Sequence, residues 1–126
     1  MGKIMGKIIF IVDDNDANLV MTSSVLENEF KVLTMPSAHK MFTLLNKILP
    51  DLILLDIEMP EMTGFEAIVK LKENPAWEAI PVIFLTGRQD NELQSETKET
   101  QALDIVFKPI EAPVLLDCVK KHIGAI

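Results

Sequence analysis

The stretch Leu52-Ile-Leu-Leu-Asp56-Ile-Glu-Met-Pro60, followed by Gly64, decides the fold of this 126-residue chain. Four apolar residues lead directly into one carboxylate, and a turn that contains a proline follows at once. An uninterrupted apolar run is typical of a strand covered on both faces of a parallel sheet. Such a strand delivers its last side chain to the carboxyl edge of the sheet, where ligands bind in open α/β folds. We therefore interpret Asp56 as a nucleophile.

Three other apolar runs also end in polar residues. The four runs, each with the residues that end it, are 7–12 with Asp13 and Asp14, 51–55 with Asp56, 81–85 with Thr86, and 105–107 with Lys108. Because the carboxyl ends of parallel strands lie on one edge of the sheet, we expect these five terminal residues to converge.

The strands alternate with helical segments. Residues 31–35 form the remaining predicted strand, and a helix is predicted after each of the five strands. Each helix is long enough for a right-handed crossover between parallel strands. We therefore predict a doubly wound α/β fold, with a five-stranded parallel sheet in the flavodoxin-like order 2-1-3-4-5 and helices on both faces. One domain is expected over residues 1–126, with its core from about 7 to 123 and no output domain in this chain.

Apolar spacing predicts which face of each helix packs on the sheet. The predicted inward residues are Ala17, Val20, Met21 and Val25 in the first helix; Ala38, Met41, Phe42, Leu45 and Ile48 in the second; Phe65, Ile68 and Val69 in the third; and Leu115, Cys118, Val119 and either His122 or Ile123 in the fifth. The fourth helix, 90–102, is almost entirely polar, with only Leu93, Thr97 and Thr100 to form an inward stripe. We expect it to pack weakly and to be the most mobile element. Asn15 or Asp16 is expected to cap the first helix, and Thr63 with Glu66 to form a capping box.

The composition is that of an acidic globular protein. The net charge is -7 and the pI is near 4.7, which disfavours direct binding to nucleic acid. The apolar runs are too short to cross a bilayer, so no membrane partner is expected. The single cysteine, Cys118, cannot form an internal disulfide, which fits a reducing cytosol and predicts a cytoplasmic location.

The residues expected at the carboxyl edge suit phosphoryl chemistry. Three crowded carboxylates are hard oxygen ligands for Mg²⁺, with Mn²⁺ as an alternative ion. A lysine and a hydroxyl opposite them would complete a cage for a phosphoryl group, whose transfer needs mainly positioning and charge neutralisation. A carboxylate can accept that group and form an aspartyl phosphate.

Taken in order, these motifs resemble the receiver domain of bacterial two-component response regulators, of the single-domain kind found in chemotaxis. The resemblance covers about Lys7 to Ile123. It implies that Asp56 accepts a phosphoryl group from the phosphohistidine of a sensor kinase or from a phosphotransfer protein. It also implies an unidentified downstream protein that reads the phosphorylated state on the surface of the fourth helix, fifth strand and fifth helix. A phosphorylation-dependent dimer through that surface is left open.

The resemblance assigns roles to individual residues. Asp14 and Asp56 would ligate Mg²⁺ directly with the backbone carbonyl of Glu58, while Asp13 would act mainly through a metal-bound water. Lys108 would bind one phosphoryl oxygen. Thr86 would move in to hydrogen-bond another, and the bond from Lys108 to Pro109 is commonly cis in the family. No enzymatic turnover is implied beyond phosphorylation of the domain itself and its self-dephosphorylation.

Some positions depart from the family pattern. Ile105 stands where Tyr or Phe usually takes part in the switch, and Phe107, next to Lys108, is expected to point away from the face that Ile105 occupies. Gly87 stands where Ala is common, and the turn 101–104 lacks its usual Gly. Arg88 and the side chain of Glu58 would flank the pocket, and their opposite charges predict a pair across it.

Three other functions stay open at this point. A pseudo-receiver that binds partners without being phosphorylated is favoured by Ile105 and disfavoured by the complete set of site residues. A Mg²⁺-dependent phosphatase of the haloacid dehalogenase type would need a second Asp two residues after Asp56, where Glu58 stands, and it would have little room for a cap domain. A flavin-binding protein is less favoured still, since Asp13 and Asp14 would repel an anionic cofactor.

Overall fold

The computed structural model describes residues 6–90 and 92–123, and within them strands and helices alternate five times. The strands are β1 (Ile8–Val12), β2 (Lys31–Met35), β3 (Leu52–Asp56), β4 (Val82–Thr86) and β5 (Asp104–Phe107). The helices are α1 (Asp16–Leu26), α2 (Ala38–Leu45), α3 (Gly64–Glu73), α4 (Leu93–Thr100) and α5 (Ala112–Ile123). The first five and last three residues of the predicted domain lie outside the described part, as does Asn91 within the predicted fourth helix.

All four strand pairings are parallel, and the strand order is β2-β1-β3-β4-β5. The predicted fold class and strand order are therefore confirmed. The three central strands are almost completely buried, as their continuous apolar runs indicated. None of the helices in residues 6–90 and 92–123 is long and apolar enough to cross a membrane.

The sheet separates two halves of the core because successive side chains of a strand point to opposite faces. Phe10, Leu55 and Phe84 pack on the side of α2 and α3, whereas Ile11 and Leu54 pack on the side of α1 and α5. The position of the carboxyl edge follows from this, since the central strands cannot shift by one residue without exchanging their two buried faces.

The predicted inward face of α1 is mostly wrong: of its four residues, only Val25 packs half-buried against the core, and Ala17 is exposed. Its buried residues are Leu19, Thr22 and Leu26, whereas Val20 and Met21 are 71% and 45% exposed. Apolar residues occur on several sides of this helix, and the polar Thr22 belongs to the buried stripe. Spacing alone therefore favoured the wrong face.

The other helical faces agree more closely with the prediction. Ala38, Met41 and Leu45 of α2 are buried as predicted, and so are Leu115 and Val119 of α5. The fifth helix also buries Ile123, while Cys118 and His122 lie on its half-buried flank. In α3, Val69 is 49% exposed, and the predicted Ile68 is buried together with Ala67 and Leu71.

The predicted helix ends are confirmed in α1 and α3. The side chain of Asn15 accepts a hydrogen bond from the N–H of Asn18, and Thr63 and Glu66 form a complete capping box. The fourth helix is shorter than predicted and buries Leu93 and Thr97. Its C-cap is Gln101, which has a left-handed φ of 65°. This residue lies in the turn 101–104, where the usual glycine is missing.

The predicted orientation of Phe107 is wrong. Side chains two residues apart in a strand share a face, and Phe107 lines one groove with Ile105 and with Gln94 and Thr97 of α4. Val106, between them, is buried on the opposite face of the sheet. An aromatic ring, 43% exposed, therefore lies on the α4 side of β5, two residues after the position where the family usually has one.

Candidate functional site

Three carboxylates from two strand ends meet at the carboxyl edge of the sheet. Asp13 and Asp14 follow β1, Asp56 ends β3, and one carboxylate oxygen of each lies within 4.8 Å of the others. Asp13 is fully buried and Asp56 is 3% exposed, while Asp14 is exposed. The predicted acidic residues are therefore close together, with Asp14 open to solvent.

Lys108 connects two of these carboxylates. Its Nζ lies 3.0 Å from Oδ2 of Asp13 and 3.3 Å from Oδ1 of Asp56. Burial alone would lower the pKa of Lys108, but the hydrogen bonds and charges of Asp13 and Asp56 raise it above its usual value. The ammonium is therefore a fixed positive charge against the acidic cluster. The peptide bond from Lys108 to Pro109 is cis.

Asp56 retains a proton more strongly than an ordinary carboxyl group. Burial, followed by the negative charge of Asp13, raises the pKa of Asp56 to about 7, against the opposing effects of Lys108 and of the Glu58 N–H. Lys108 is one cation facing three carboxylates, so it compensates them only in part. An added divalent cation would be attracted to this cluster.

The geometry fits a hard metal ion. Oδ1 of Asp13 accepts a hydrogen bond from the N–H of Asn15 at 2.9 Å. Its Oδ2 is buried, and the ammonium of Lys108 lies 3.0 Å from it. Mg²⁺ and Mn²⁺ bind carboxylate oxygens, and the negative charge of this cluster is only partly compensated by the protein.

Glu58 contacts this cluster through its backbone. Its N–H donates a hydrogen bond to Oδ1 of Asp56 at 3.3 Å, and its side chain is exposed. The assignment of its carbonyl as a metal ligand stays a prediction.

Thr86 lies at the same edge, at the end of β4. It is fully buried, its hydroxyl accepts the N–H of Arg88 at 2.9 Å, and its carbonyl accepts the N–H of Lys108 at 2.8 Å. The hydroxyl of Thr86 therefore contacts the loop between β4 and α4, and its backbone carbonyl is hydrogen-bonded to the lysine of the site.

The predicted pair between Glu58 and Arg88 is not found. Arg88 instead binds Asp90 through two hydrogen bonds of 2.9 and 3.0 Å, and its Nη2 lies 3.0 Å from Oε2 of Glu96 in α4. These carboxylates hold the guanidinium, whose carbon lies 6.0 Å from the ring centroid of Phe65. The short spacing from Arg88 to Asp90 was visible in the sequence, whereas the contact with Phe65 depends on how α3 packs.

Gly64 is required by a close approach between α3 and the end of β3. A Cβ at this position would lie 2.6 Å from the carbonyl oxygen of Asp56 and 2.8 Å from Cα of Ile57. The N–H of Gly64 also donates to the carbonyl of Ile57 at 2.7 Å. Because both close neighbours are backbone atoms, a side chain here would displace the segment that carries Asp56.

We expect Gly64→Ala to lower the free energy of unfolding by about 1–3 kcal/mol, the usual cost of overpacking. Gly87→Ala is the matched control, because a Cβ there meets nothing within 4 Å. Its effect should stay within about 0.5 kcal/mol. Urea unfolding measures both, and equal stability of the two variants would contradict the close approach.

Comparisons with known proteins agree with this geometry. The family model of the response regulator receiver domain matches residues 9–120. The chemotaxis protein CheY4 of Vibrio cholerae has a similar structure, with a TM-score of 0.87 and 26% identity, over 92% of this chain and 98% of that one. The polar-differentiation response regulator DivK of Brucella ovis is 28% identical over 121 residues, which are 95% of this chain and 98% of that protein.

A longer relative matches this chain over only part of its own length. A probable cyclic di-GMP phosphodiesterase of Vibrio cholerae is 41% identical over 115 residues, which are 91% of this chain but only 26% of that protein. The chain thus spans about a quarter of the length of this relative. The similarity lies in a receiver-sized part of the longer protein. Since the family model covers nearly the whole of this fold, the chain belongs to the receiver domains of two-component response regulators.

Proposed function

We propose that this receiver domain is a phosphorylation switch in which Asp56 accepts a phosphoryl group with the help of Mg²⁺. One observation carries the proposal: Asp13, Asp14 and Asp56 converge within 4.8 Å, with Lys108 bridging Asp13 and Asp56. The phosphorus–nitrogen bond of a phosphohistidine donor breaks as a bond forms to a carboxylate oxygen of Asp56, and the electron pair returns to the imidazole.

The residues around Asp56 have distinct parts in this reaction. Asp13, Asp14 and Asp56, with the Glu58 carbonyl, would hold Mg²⁺ or Mn²⁺, which supplies positive charge for the phosphoryl oxygens when it is bound. Lys108 supplies a second positive charge, placed between Asp13 and Asp56. The N–H of Glu58 fixes the Asp56 carboxylate. No other catalytic activity is proposed for this domain.

The signal would pass from the site through the loop after β4. Movement of the Thr86 hydroxyl towards a phosphoryl oxygen would strain its hydrogen bond with the N–H of Arg88, the residue whose guanidinium holds Asp90 and Glu96. Movement of Thr86 would therefore disturb the contacts that fix the start of α4. A partner that binds the altered surface of α4, β5 and α5 better would shift the equilibrium towards it. Phe107 is an exposed ring on this surface.

The proposed partners are a sensor histidine kinase or a phosphotransfer protein upstream and an unidentified protein downstream. A cytoplasmic location is proposed with them. Dimerisation on phosphorylation is one output that the surface of α4, β5 and α5 could serve. The net charge of -7 continues to argue against nucleic acid as a direct partner.

Intact mass spectrometry after incubation with acetyl phosphate and Mg²⁺ tests this proposal. We expect one phosphoryl adduct per chain in the parent protein, and none in Asp56→Asn or in the presence of EDTA. Asp117→Asn is the matched control, since Asp117 is an exposed carboxylate on α5, and it should be modified like the parent.

The alternative functions give different results. No adduct in a protein that binds Mg²⁺ would overturn the proposal and favour a pseudo-receiver. Sustained hydrolysis of a phosphate ester such as p-nitrophenyl phosphate would favour a phosphatase. An adduct that persists in Asp56→Asn would move the acceptor to another residue.

A further inference from the structure

A second cluster of side chains that can bind a metal lies at the amino-terminal end of β5, away from the carboxyl edge of the sheet. Asp104 begins β5, and Cys118 and His122 are four residues apart on α5, so they share one face of the helix. One potential ligand atom of each of these three side chains lies within 4.8 Å of the other two. Asp104 is four residues before Lys108, or about 13 Å along an extended strand. This cluster is therefore separate from the phosphoryl site.

The donor atoms are already close to the spacing of a tetrahedral zinc site. Oδ2 of Asp104 lies 3.5 Å from Sγ of Cys118 and 3.0 Å from Nε2 of His122. Zinc bonds to sulfur, nitrogen and oxygen of about 2.0–2.3 Å imply ligand separations of roughly 3.3–3.6 Å. The two separations from Asp104 are thus within about 0.5 Å of those in a zinc site, and all three potential ligand atoms lie within 4.8 Å of one another.

Neighbouring residues fix the positions of these side chains. Oδ1 of Asp104 accepts the N–H of Ile105 at 2.9 Å, which turns Oδ2 towards α5. Next to the cluster on α5, Val119 and Ile123 are buried in the core and fix the helix against the sheet. Cys118, Asp104 and His122 themselves are half-buried, so an ion can reach them from solvent.

We propose that Asp104, Cys118 and His122 form a zinc-binding site that clamps α5 to β5, with water as the fourth ligand. Thiolate, imidazole and carboxylate are a donor set that Zn²⁺ prefers and that Mg²⁺ does not. Three protein ligands with one open position are sufficient for a tetrahedral zinc ion.

Without metal, Cys118 is a protonated thiol, so zinc must displace its proton in order to bind. Burial, and then the charge and hydrogen bonding of Asp104, raise the pKa of Cys118 to about 12, so the free thiol is a poor nucleophile. Burial alone would raise the pKa of Asp104, but hydrogen bonds from His122, Ile105 and Cys118 bring it below its usual value. A bound divalent cation favours the thiolate, and each zinc ion displaces the thiol proton to solvent.

Titration with Co²⁺, read by absorption, is the first test, because a thiolate-to-cobalt charge-transfer band can come only from Cys118, the one cysteine of the chain. Excess Mg²⁺ is present throughout to fill the acidic cluster around Asp56. We expect one Co²⁺ per chain, displaced by Zn²⁺, and a thermal unfolding midpoint that rises with zinc concentration.

Variants then assign the ligands. Cys118→Ser, His122→Gln and Asp104→Asn should each weaken zinc binding, the first two by at least about 100-fold, since even loss of an outer partner costs about 10–100-fold. His39→Gln, on the exposed face of α2, removes the other histidine and should leave zinc affinity unchanged.

A measurement on the unaltered protein guards against variants that fail to fold. Zinc should slow alkylation of Cys118 in the parent chain, and Mg²⁺ should not. The proposal is overturned if Co²⁺ gives no charge-transfer band, if Zn²⁺ leaves the alkylation rate unchanged, or if folded Cys118→Ser and His122→Gln bind zinc like the parent.

Discussion

In the absence of divalent metal, the stability advantage of Asp56→Asn over the parent protein should widen by about 2–3 kcal/mol between about pH 5 and pH 8. The buried Asp56 has a folded-state pKa raised to about 7, whereas in the unfolded chain it titrates in the ordinary range. A carboxyl group with a raised folded-state pKa contributes stability while it is protonated. The parent therefore loses stability as the pH rises from the unfolded-state pKa towards about 7, where the loss levels off, and the asparagine does not titrate.

Urea unfolding in EDTA across this pH range measures the difference. The window lies above the region where Asp90 and Asp104, whose pKa values are lowered, would change stability in the opposite direction. Saturating Mg²⁺ should remove most of the parent's loss, because the ion binds the charged form of Asp56. If the stability difference between the two proteins does not change with pH, the folded-state pKa of Asp56 is not raised.

The fold could be predicted because the central strands are buried on both faces. A continuous apolar run such as Leu52 to Leu55 is typical of a strand in a covered parallel sheet, and regular alternation with helices then leaves few topologies. The convergence of Asp13, Asp56 and Lys108 follows from that topology. The distances among them, and the raised pKa of Asp56, depend on burial that a sequence does not report.

The predictions that are wrong concern orientation. In α1 the buried Thr22 is polar and the exposed Val20 is apolar, so spacing favoured the wrong face. Phe107 and Ile105 share a face because the side-chain period of a strand is two residues, which should have placed them together from the sequence. The pairing of Arg88 with Asp90 and Glu96 depends on the position of α4. The sequence does not predict that position, because α4 has few apolar residues.

Lys108→Met should lower the free energy of unfolding of the metal-free protein by about 3 kcal/mol at about pH 8. Lys108 bridges Asp13 and Asp56, and removing one partner of a buried ion pair costs about 3–5 kcal/mol because a buried charge is left uncompensated. At about pH 6 the loss should be smaller, since Asp56 can take up a proton in place of the ammonium. Saturating Mg²⁺ should likewise reduce the loss by supplying positive charge.

Lys120→Met is the matched control. Lys120 forms an ion pair with Glu29 at 2.8 Å, shorter than either contact of Lys108, but the side chain of Lys120 is 44% exposed. Surface pairs contribute about 0–1 kcal/mol, so this variant should unfold almost like the parent. The double variant Lys108→Met/Asp56→Asn should recover part of the stability that Lys108→Met loses, because one of the two buried carboxylates that face the cation is gone. If the two losses simply added, or if Lys120→Met cost as much as Lys108→Met, burial of the acidic cluster would not be the source of the effect.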